Sequence, residues 1–425
     1  MRFTSYWLDT APAFTGAATK PVHGHYDVAV IGGGFTGLAA ARQLARGGAR
    51  VAVIEAGQVG AGASGRNGGH LNNGLAHSFL AAKAALGPER ATALYRAFDD
   101  AIETVAAIVT EEGIACDFLR SGKLKLASKP GHAGPLRKNF EAIHREVDPD
   151  TAFLEAGALG GEICGAPFFG GMLSRKSASM HMGRFVSGLA EAAVRHGAVV
   201  FENTSVLARE RRGTGHVIET ARGTLTADTV MLATGAYTGK PFGYFRRRII
   251  PVGSFIIATR PLSEAEVEAS LPGRRNYVTS LHIGNYFRLT ADRRLIFGGR
   301  ARFSATSDQR SDATSGRILR ASLAKIFPRL AKVEIDYCWG GLVDITKDRL
   351  PRAGEADGVH FAMGYSGHGT HMSIHMGTVM ADLILGRPGC NPLASLDWPV
   401  IPGHSGKPWF LPVVGAYYKI LDALD

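Results

Sequence analysis

The chain has 425 residues, 45% of them apolar and 20% charged, which suits two folded domains and excludes a disordered or collagen-like protein. No apolar run is long enough to span a bilayer, and Met1–His25 lacks the continuous apolar core of a secretory signal. The four cysteines, Cys116, Cys164, Cys338 and Cys390, form no CxxC pair, which argues against a disulfide framework or a structural zinc site and fits the reduced thiols of a cytoplasmic protein. The net charge of +11 peaks at Arg209–Arg212, Arg246–Arg248 and Arg274–Arg275. These runs are short and scattered, so solvated loops explain them better than a nucleic-acid groove does.

The first informative element is Tyr26–Ile31, a β-branched apolar run that reads as a buried parallel strand. Gly32-Gly33-Gly34-Phe35-Thr36-Gly37 follows at once and contains GxGxxG at Gly32, Gly34 and Gly37. An alanine- and leucine-rich helix then runs from Leu38 to Arg46, Gly47-Gly48 stops it, and Arg50–Ile54 is a second strand ending at Glu55. Strand, glycine turn, helix, strand and acid in this order form a dinucleotide-binding unit. Gly32 permits the tight turn, Gly34 lets backbone approach a pyrophosphate, and Gly37 lets helix and strand pack closely. The helix start at Phe35 and Thr36 offers free N–H groups to phosphate, and Glu55, followed by Ala56, faces a ribose diol.

After Ala56 a nicotinamide domain would continue with another helix and strand. This chain instead runs through Gly62-Ala63-Ser64-Gly65-Arg66-Asn67-Gly68-Gly69-His70, a glycine-rich path suited to winding beneath a longer cofactor. Farther on, Val194–Val206 reads as a helix end, a turn at His196-Gly197 and a strand, and Ala227–Tyr237 as a strand ending in the turn Ala233-Thr234-Gly235. Asn285–Gly299 reads as two strands on which Tyr286 and Arg288 share a face. Val359–Met363 is another strand, followed by Gly364-Tyr365-Ser366-Gly367-His368-Gly369-Thr370 and a helix to Leu385. His371 and His375 lie four apart on that helix, but without an HExxH glutamate or a third ligand nearby no metal is expected. Met372, Met376 and Met380 fit core packing.

GASGRNGG placed after the acid resembles the D-amino-acid oxidase superfamily of flavoenzymes, in particular its amine-oxidising branch. The Ala233–Gly235 turn, Trp339-Gly340-Gly341 and GYSGHG are similar to the family's other cofactor segments. Ser5-Tyr6-Trp7, Tyr286–Gly299 and Gly415–Tyr418 are similar to the gamma-glutamylputrescine oxidases within it. The resemblance implies an α/β (overall α+β) fold, with a Rossmann-type FAD-binding domain at 25–85, 175–238 and 336–390. A β-sheet-rich substrate domain at 86–174 and 239–335 is interleaved with it, and 1–24 and 391–425 are extensions. FAD is expected to be non-covalent, because Cys338 does not fall where sarcosine oxidases place their linking cysteine. Implied cofactor contacts beyond the first motif are Gly62, Ala63, Ser64, Arg66, Asn67, Gly68 and a backbone contact at Val206. Ala233, Gly235, Gly340, Gly341, Gly364, Ser366, Gly367, His368, Gly369 and Thr370 complete the set.

The chemistry implied is oxidation of a C–N bond in an amine or amino acid by hydride transfer, with oxygen or another electron acceptor as second substrate. His70, Tyr286, Arg288, Trp339 and His368 are the expected substrate contacts. Two departures from the family bear on the substrate: Ser177–Met182 stands where a histidine-proline element is usual, and Thr370–His375 is rich in histidine and methionine. Leu295–Phe297 also lacks the lysine with which sarcosine oxidases promote reaction with oxygen. A dehydrogenase using another acceptor and a flavin-dependent modifier of a tRNA wobble base are the alternatives.

Overall fold

A computed structural model describes residues 1–299, 309–406 and 408–424. Among these residues the strands form two eight-stranded sheets and one short ribbon. In the first sheet the parallel order is Val359–Met363, Gly223–Leu232, His25–Ile31, Val51–Ile54 and Val199–Phe201. The central strand His25–Ile31 is apolar from Val28 to Ile31, where both its faces are covered. Helices Met182–Arg195 and Gly369–Ile384 both pack on Phe35–Arg46, and Gly377 lets the last approach Thr36 and Ala39 closely, since a Cβ there would sit 2.3 Å from the Thr36 carbonyl oxygen. A Cβ on Gly37 would sit 1.9 Å from the Gly32 carbonyl oxygen, so the close approach of helix to turn requires glycine there.

The second sheet runs Ile335–Ile345, Ile250–Pro261, Arg294–Gly299, Asn285–Leu289, Asn276–Thr279, Lys123–Leu126, Gly171–Ser174 and Ala152–Leu154. All its pairings are antiparallel except that of Lys123–Leu126 with Asn276–Thr279. One face buries Leu124, Phe255, Tyr277, Phe287 and Phe297 with Leu319 and Leu323 of the helix Gln309–Ile326. The opposite face looks toward the nucleotide half. Residues paired across it in register are Trp339, Ile256, Gly298, Tyr286, Val278, Lys125 and Met172.

Sheet membership differs from the expected division at one place. Ile335–Ile345, placed by the sequence with the nucleotide-binding segments from 336 onward, pairs along its whole length with Ile250–Pro261 of the second sheet. Its middle, Tyr337–Gly341, is buried on both faces, so no period-two alternation marks it as a strand of the antiparallel sheet. The 1–24 segment is built in: Tyr6 and Trp7 are buried, and Arg2 bridges to Tyr337. No helix among the described residues is long and apolar enough to cross a membrane.

Four arginines of the first and third basic runs are paired with acids, and Arg248 of the second donates to the Trp398 and Tyr244 carbonyls. Arg209 pairs with Asp357, Arg212 with Glu210, Arg274 with Glu264 and Glu268, and Arg275 with Glu162. Gly37→Ala is expected to force the first helix off its strand at a cost of about 3 kcal/mol, read as a fall in urea or thermal midpoint.

Candidate active site

Between the two sheets lies a cavity of about 850 Å³, within the range of ligand and cofactor sites. Two helix N-termini open onto it, at Phe35-Thr36 and at Gly369-Thr370. Gly32 turns there with φ of 111°, and Ser64 Oγ accepts the Phe35 N–H at 2.9 Å, tying the second glycine-rich segment to the first. Glu55 is largely buried and accepts N–H donors from Gly33 at 2.6 Å and Gly57 at 2.8 Å. Burial raises its carboxyl above the ordinary value, and these two donors pull against that shift. Arg66 donates to the Ala61 and Gly340 carbonyls and borders the cavity with no carboxylate partner among the described residues.

The loop Gly65–Gly69 is held from behind by a row of donors. Ser5 Oγ donates to Gly65 O at 2.5 Å, Trp339 Nε1 to Arg66 O at 3.0 Å, and Trp7 Nε1 to Asn67 O at 2.6 Å. Arg288 Nε donates to Gly68 O at 3.1 Å, and the Met180 N–H to Gly69 O at 3.3 Å. Five successive carbonyls are thus satisfied by five residues from four distant places in the chain, which leaves the other edge of the loop, Asn67 and Gly68, on the cavity.

Across the cavity stand Ser254, Val278, Asn285 and Tyr286 of the second sheet, with His70 and Asn72 beside them. The Tyr286 ring lies over Gly298, where a Cβ would come within 2.3 Å of it. His70 meets this ring edge-on at 5.4 Å between centroids. Burial, joined by the Arg288 charge, lowers His70 to about 3. His368 falls to about 3 for the same first reason, with Lys123 and Arg349 adding to it. Both imidazoles are therefore neutral near pH 7. His70 Nε2 and His368 Nδ1 are buried without a hydrogen-bond partner, as are both ring nitrogens of His371. Orphaned polar atoms bordering one cavity are what a polar ligand would satisfy.

The matching protein-family model is the DAO family of FAD-dependent oxidoreductases, over residues 27–383. The chain belongs to that family. It is 32% identical to a gamma-glutamylputrescine oxidoreductase of Escherichia coli K12, over 99% of this chain and 98% of that one. It is 35% identical to a probable oxidoreductase OrdL of Rhizobium meliloti, over 89% of this chain and 87% of the relative. A crystal structure of glycine oxidase from Geobacillus kaustophilus superposes with a TM-score of 0.76 at 26% identity, over 89% of this chain and all of that one.

The family's FAD fits the residues present. The paired helix starts, the Glu55 carboxylate, the unpaired Arg66 cation and the orphaned histidines supply donors, an acceptor and positive charge along one continuous cavity. None of the four cysteines borders it: Cys116 and Cys338 are buried elsewhere, and Cys164 and Cys390 are exposed. The flavin is therefore non-covalent with respect to cysteine, and Cys338 Sγ instead donates to Asp312 O at 3.1 Å.

Of the expected cofactor residues, Gly32, Gly34, Phe35, Thr36, Glu55, Ala56, Gly62, Ala63, Ser64, Arg66, Asn67 and Gly68 border the cavity. So do Val206, Ala233, Gly235, Gly341, Ser366, Gly367, His368, Gly369 and Thr370. Gly37, Gly340 and Gly364 do not; Gly37 packs helix on turn, and Gly364 donates its N–H to Asp344 at 2.6 Å. Of the expected substrate contacts, His70, Tyr286 and His368 border the cavity. Arg288 and Trp339 stand behind the Gly65–Gly69 loop instead, because their donors are spent on its carbonyls. Ser177–Met182 likewise lies behind it, in the ribbon that pairs His70 with Ser179. His371 and His375 do not converge, since His375 Nδ1 meets Thr104 Oγ1 at 2.8 Å.

Residues that the sequence did not single out include Ser254, Asn72, Arg349 and Asp344. Burial raises Asp344 to about 6 against the pull of N–H donors from Gly364 onward. Beneath the site, Lys123 Nζ donates to Asn73 O at 2.5 Å, and Asn73 continues to Asp99 at 3.0 Å.

Arg288→Met is expected to leave loop carbonyls without donors, destabilising the protein by about 2 kcal/mol and lowering retained flavin after dialysis. Arg288→Lys recovers only part, because an ammonium lacks the planar fork that serves Gly68 and Met180 together. Burial lowers Lys123 from 10.5 to about 7, with Lys125 adding to the shift and Asp99 opposing it. The folded state therefore binds this proton more weakly than the unfolded chain does. Its penalty is full below about pH 7 and fades as pH rises toward 10.5, so Lys123→Met should flatten the rise in thermal stability over that window.

Proposed function

We propose that the chain oxidises the C–N bond of a primary amine, releasing the aldehyde and ammonium and forming hydrogen peroxide, with a gamma-glutamylated diamine as the best-fitting substrate. Bound FAD supplies the two-electron acceptor, taking hydride from the carbon next to nitrogen. The observation that carries the reading is the character of the wall facing the flavin cradle: Tyr286, Ser254, His70 and His368, with both histidines held neutral by burial. Such a wall positions and desolvates a neutral amine and needs no strong base. Tyr286 is fixed by the bare backbone of Gly298 beneath it, so the surface it presents is rigid. Water and oxygen complete the balance: amine, oxygen and water give aldehyde, ammonium and peroxide.

The near-full-length likeness to a gamma-glutamylputrescine oxidoreductase supports this substrate class. Glycine oxidases are 27% identical over a similar span, which supports amino acids less strongly. Purified protein should be yellow and should bleach anaerobically on mixing with gamma-glutamylputrescine, with peroxide appearing on admission of air. N-methyl amines and D-amino acids are the comparison substrates. Bleaching without peroxide in air would replace oxygen by another acceptor. Bleaching by D-amino acids alone would overturn the substrate assignment.

A further inference from the structure

We infer that Arg349 and Lys125 form a carboxylate-binding subsite at the cavity wall, so that the substrate carries an anionic group in addition to its reacting amine. Arg349 borders the cavity, half-buried, on the turn Thr346–Arg349 that follows the strand Ile335–Ile345. The turn holds it at φ of 59°, a left-handed conformation that is uncommon outside glycine. Lys125 lies in register beside Val278, which borders the cavity, and on the same face as Tyr286. Its ammonium is close enough to Arg349 for the guanidinium charge to depress it, after burial.

Among the described residues neither cation has a carboxylate partner within ion-pair distance. The acids nearest in sequence are committed elsewhere. Asp348 pairs with Arg352 at 2.5 Å and accepts the Leu350 N–H, and Asp344 accepts the Gly364 N–H at 2.6 Å. Burying like charges together without an acid is costly, and an anionic ligand offsets that cost. Arg66 belongs to the glycine-rich cradle: it donates to Ala61 and Gly340, and its charge acts on Tyr237. Arg349 is thus a second cation on the cavity wall, carried by a different segment. A planar guanidinium beside an ammonium suits a carboxylate, which accepts a forked pair from the first and a third bond from the second.

The assignment of this group to the substrate rests on the amine-oxidase reading, and the test separates the two. Glutarate and its neutral diamide, glutaramide, are titrated into the holoenzyme by calorimetry at fixed ionic strength, with sulfate as competitor. Glutarate should bind about tenfold more tightly than glutaramide or better, and sulfate should compete poorly. Arg349→Met should erase the preference with flavin content unchanged, Arg349→Lys should keep part of it, and Lys125→Met should reduce it. Equal affinity for acid and amide, equal competition by sulfate, or an undiminished preference in Arg349→Met would overturn the subsite. Loss of FAD from Arg349→Met would also do so, by assigning Arg349 to the flavin cradle. An unchanged preference in Lys125→Met would remove Lys125 from it. Glutarate has no amine, so its binding stands or falls independently of oxidation. A protein that binds glutarate but bleaches with no amine loses the amine-oxidase reading alone.

Discussion

Five consecutive carbonyls, from Gly65 to Gly69, carry the architecture of this site. A loop so rich in glycine is entropically expensive to order, and its only two side chains help little alone: Arg66 donates to the Ala61 and Gly340 carbonyls and Asn67 accepts the Gly69 N–H. The rest of its order comes from donors brought from the N-terminal segment, two strands of the second sheet and the segment before the helix Met182–Arg195. Ser5, Trp7, Trp339, Arg288 and Met180 each supply one bond. Because the donors sit on one side, the cavity edge of the loop is both fixed and free for a ligand. The N-terminal Ser5-Tyr6-Trp7 is therefore part of the active-site wall, although none of it borders the cavity.

The electrostatic character of the cavity follows from how its acids and bases are spent. Glu55 and Asp344 are buried, and backbone N–H groups accommodate their carboxylates. Arg66 and Arg349 have no such acid partners, and the histidines are uncharged because burial disfavours their cationic form. The result is a positive cavity with neutral imidazoles at its centre. That arrangement suits an anionic cofactor and polar, desolvated chemistry beside it, with no imidazole titrating near neutral pH.

Much of the nucleotide half was legible because its physics is local. The strand, the glycine turn and the helix start at Phe35 are neighbours in sequence, and so each constrains the next residue type. The Gly62–His70 path was legible through its motif. Val206 and Ala233 joined the cavity as the resemblance implied. The second sheet was less legible because its meaning is set by partners far away. Lys123-Leu124-Lys125-Leu126 alternates like a strand with one wet face, yet that face looks into the protein. Arg288 and Trp339 carried the right signal, a polar or aromatic group turned toward the flavin half. Their hydrogen bonds go to backbone oxygens that no spacing rule could locate. Ser177–Met182 departs from the family pattern and yet lies behind the loop, whereas His371, in the other departure, borders the cavity.

The pleat of the second sheet also limits where specificity can be changed. The row Gly298, Tyr286, Val278, Lys125 lies on the face toward the nucleotide half, where Tyr286 and Val278 border the cavity, and the row Ile296, Arg288 lies one step along on the same face, behind the loop. Substitutions in the second row disturb the clamp and hence the cofactor. Substitutions in the first row alter the ligand wall but leave the clamp intact, apart from Gly298, whose missing side chain sets the height of the Tyr286 ring. Two residues along a strand therefore separate a change of substrate from a loss of fold, and divergence within such a wall should concentrate at Val278 and Lys125 and in the turn that carries Arg349.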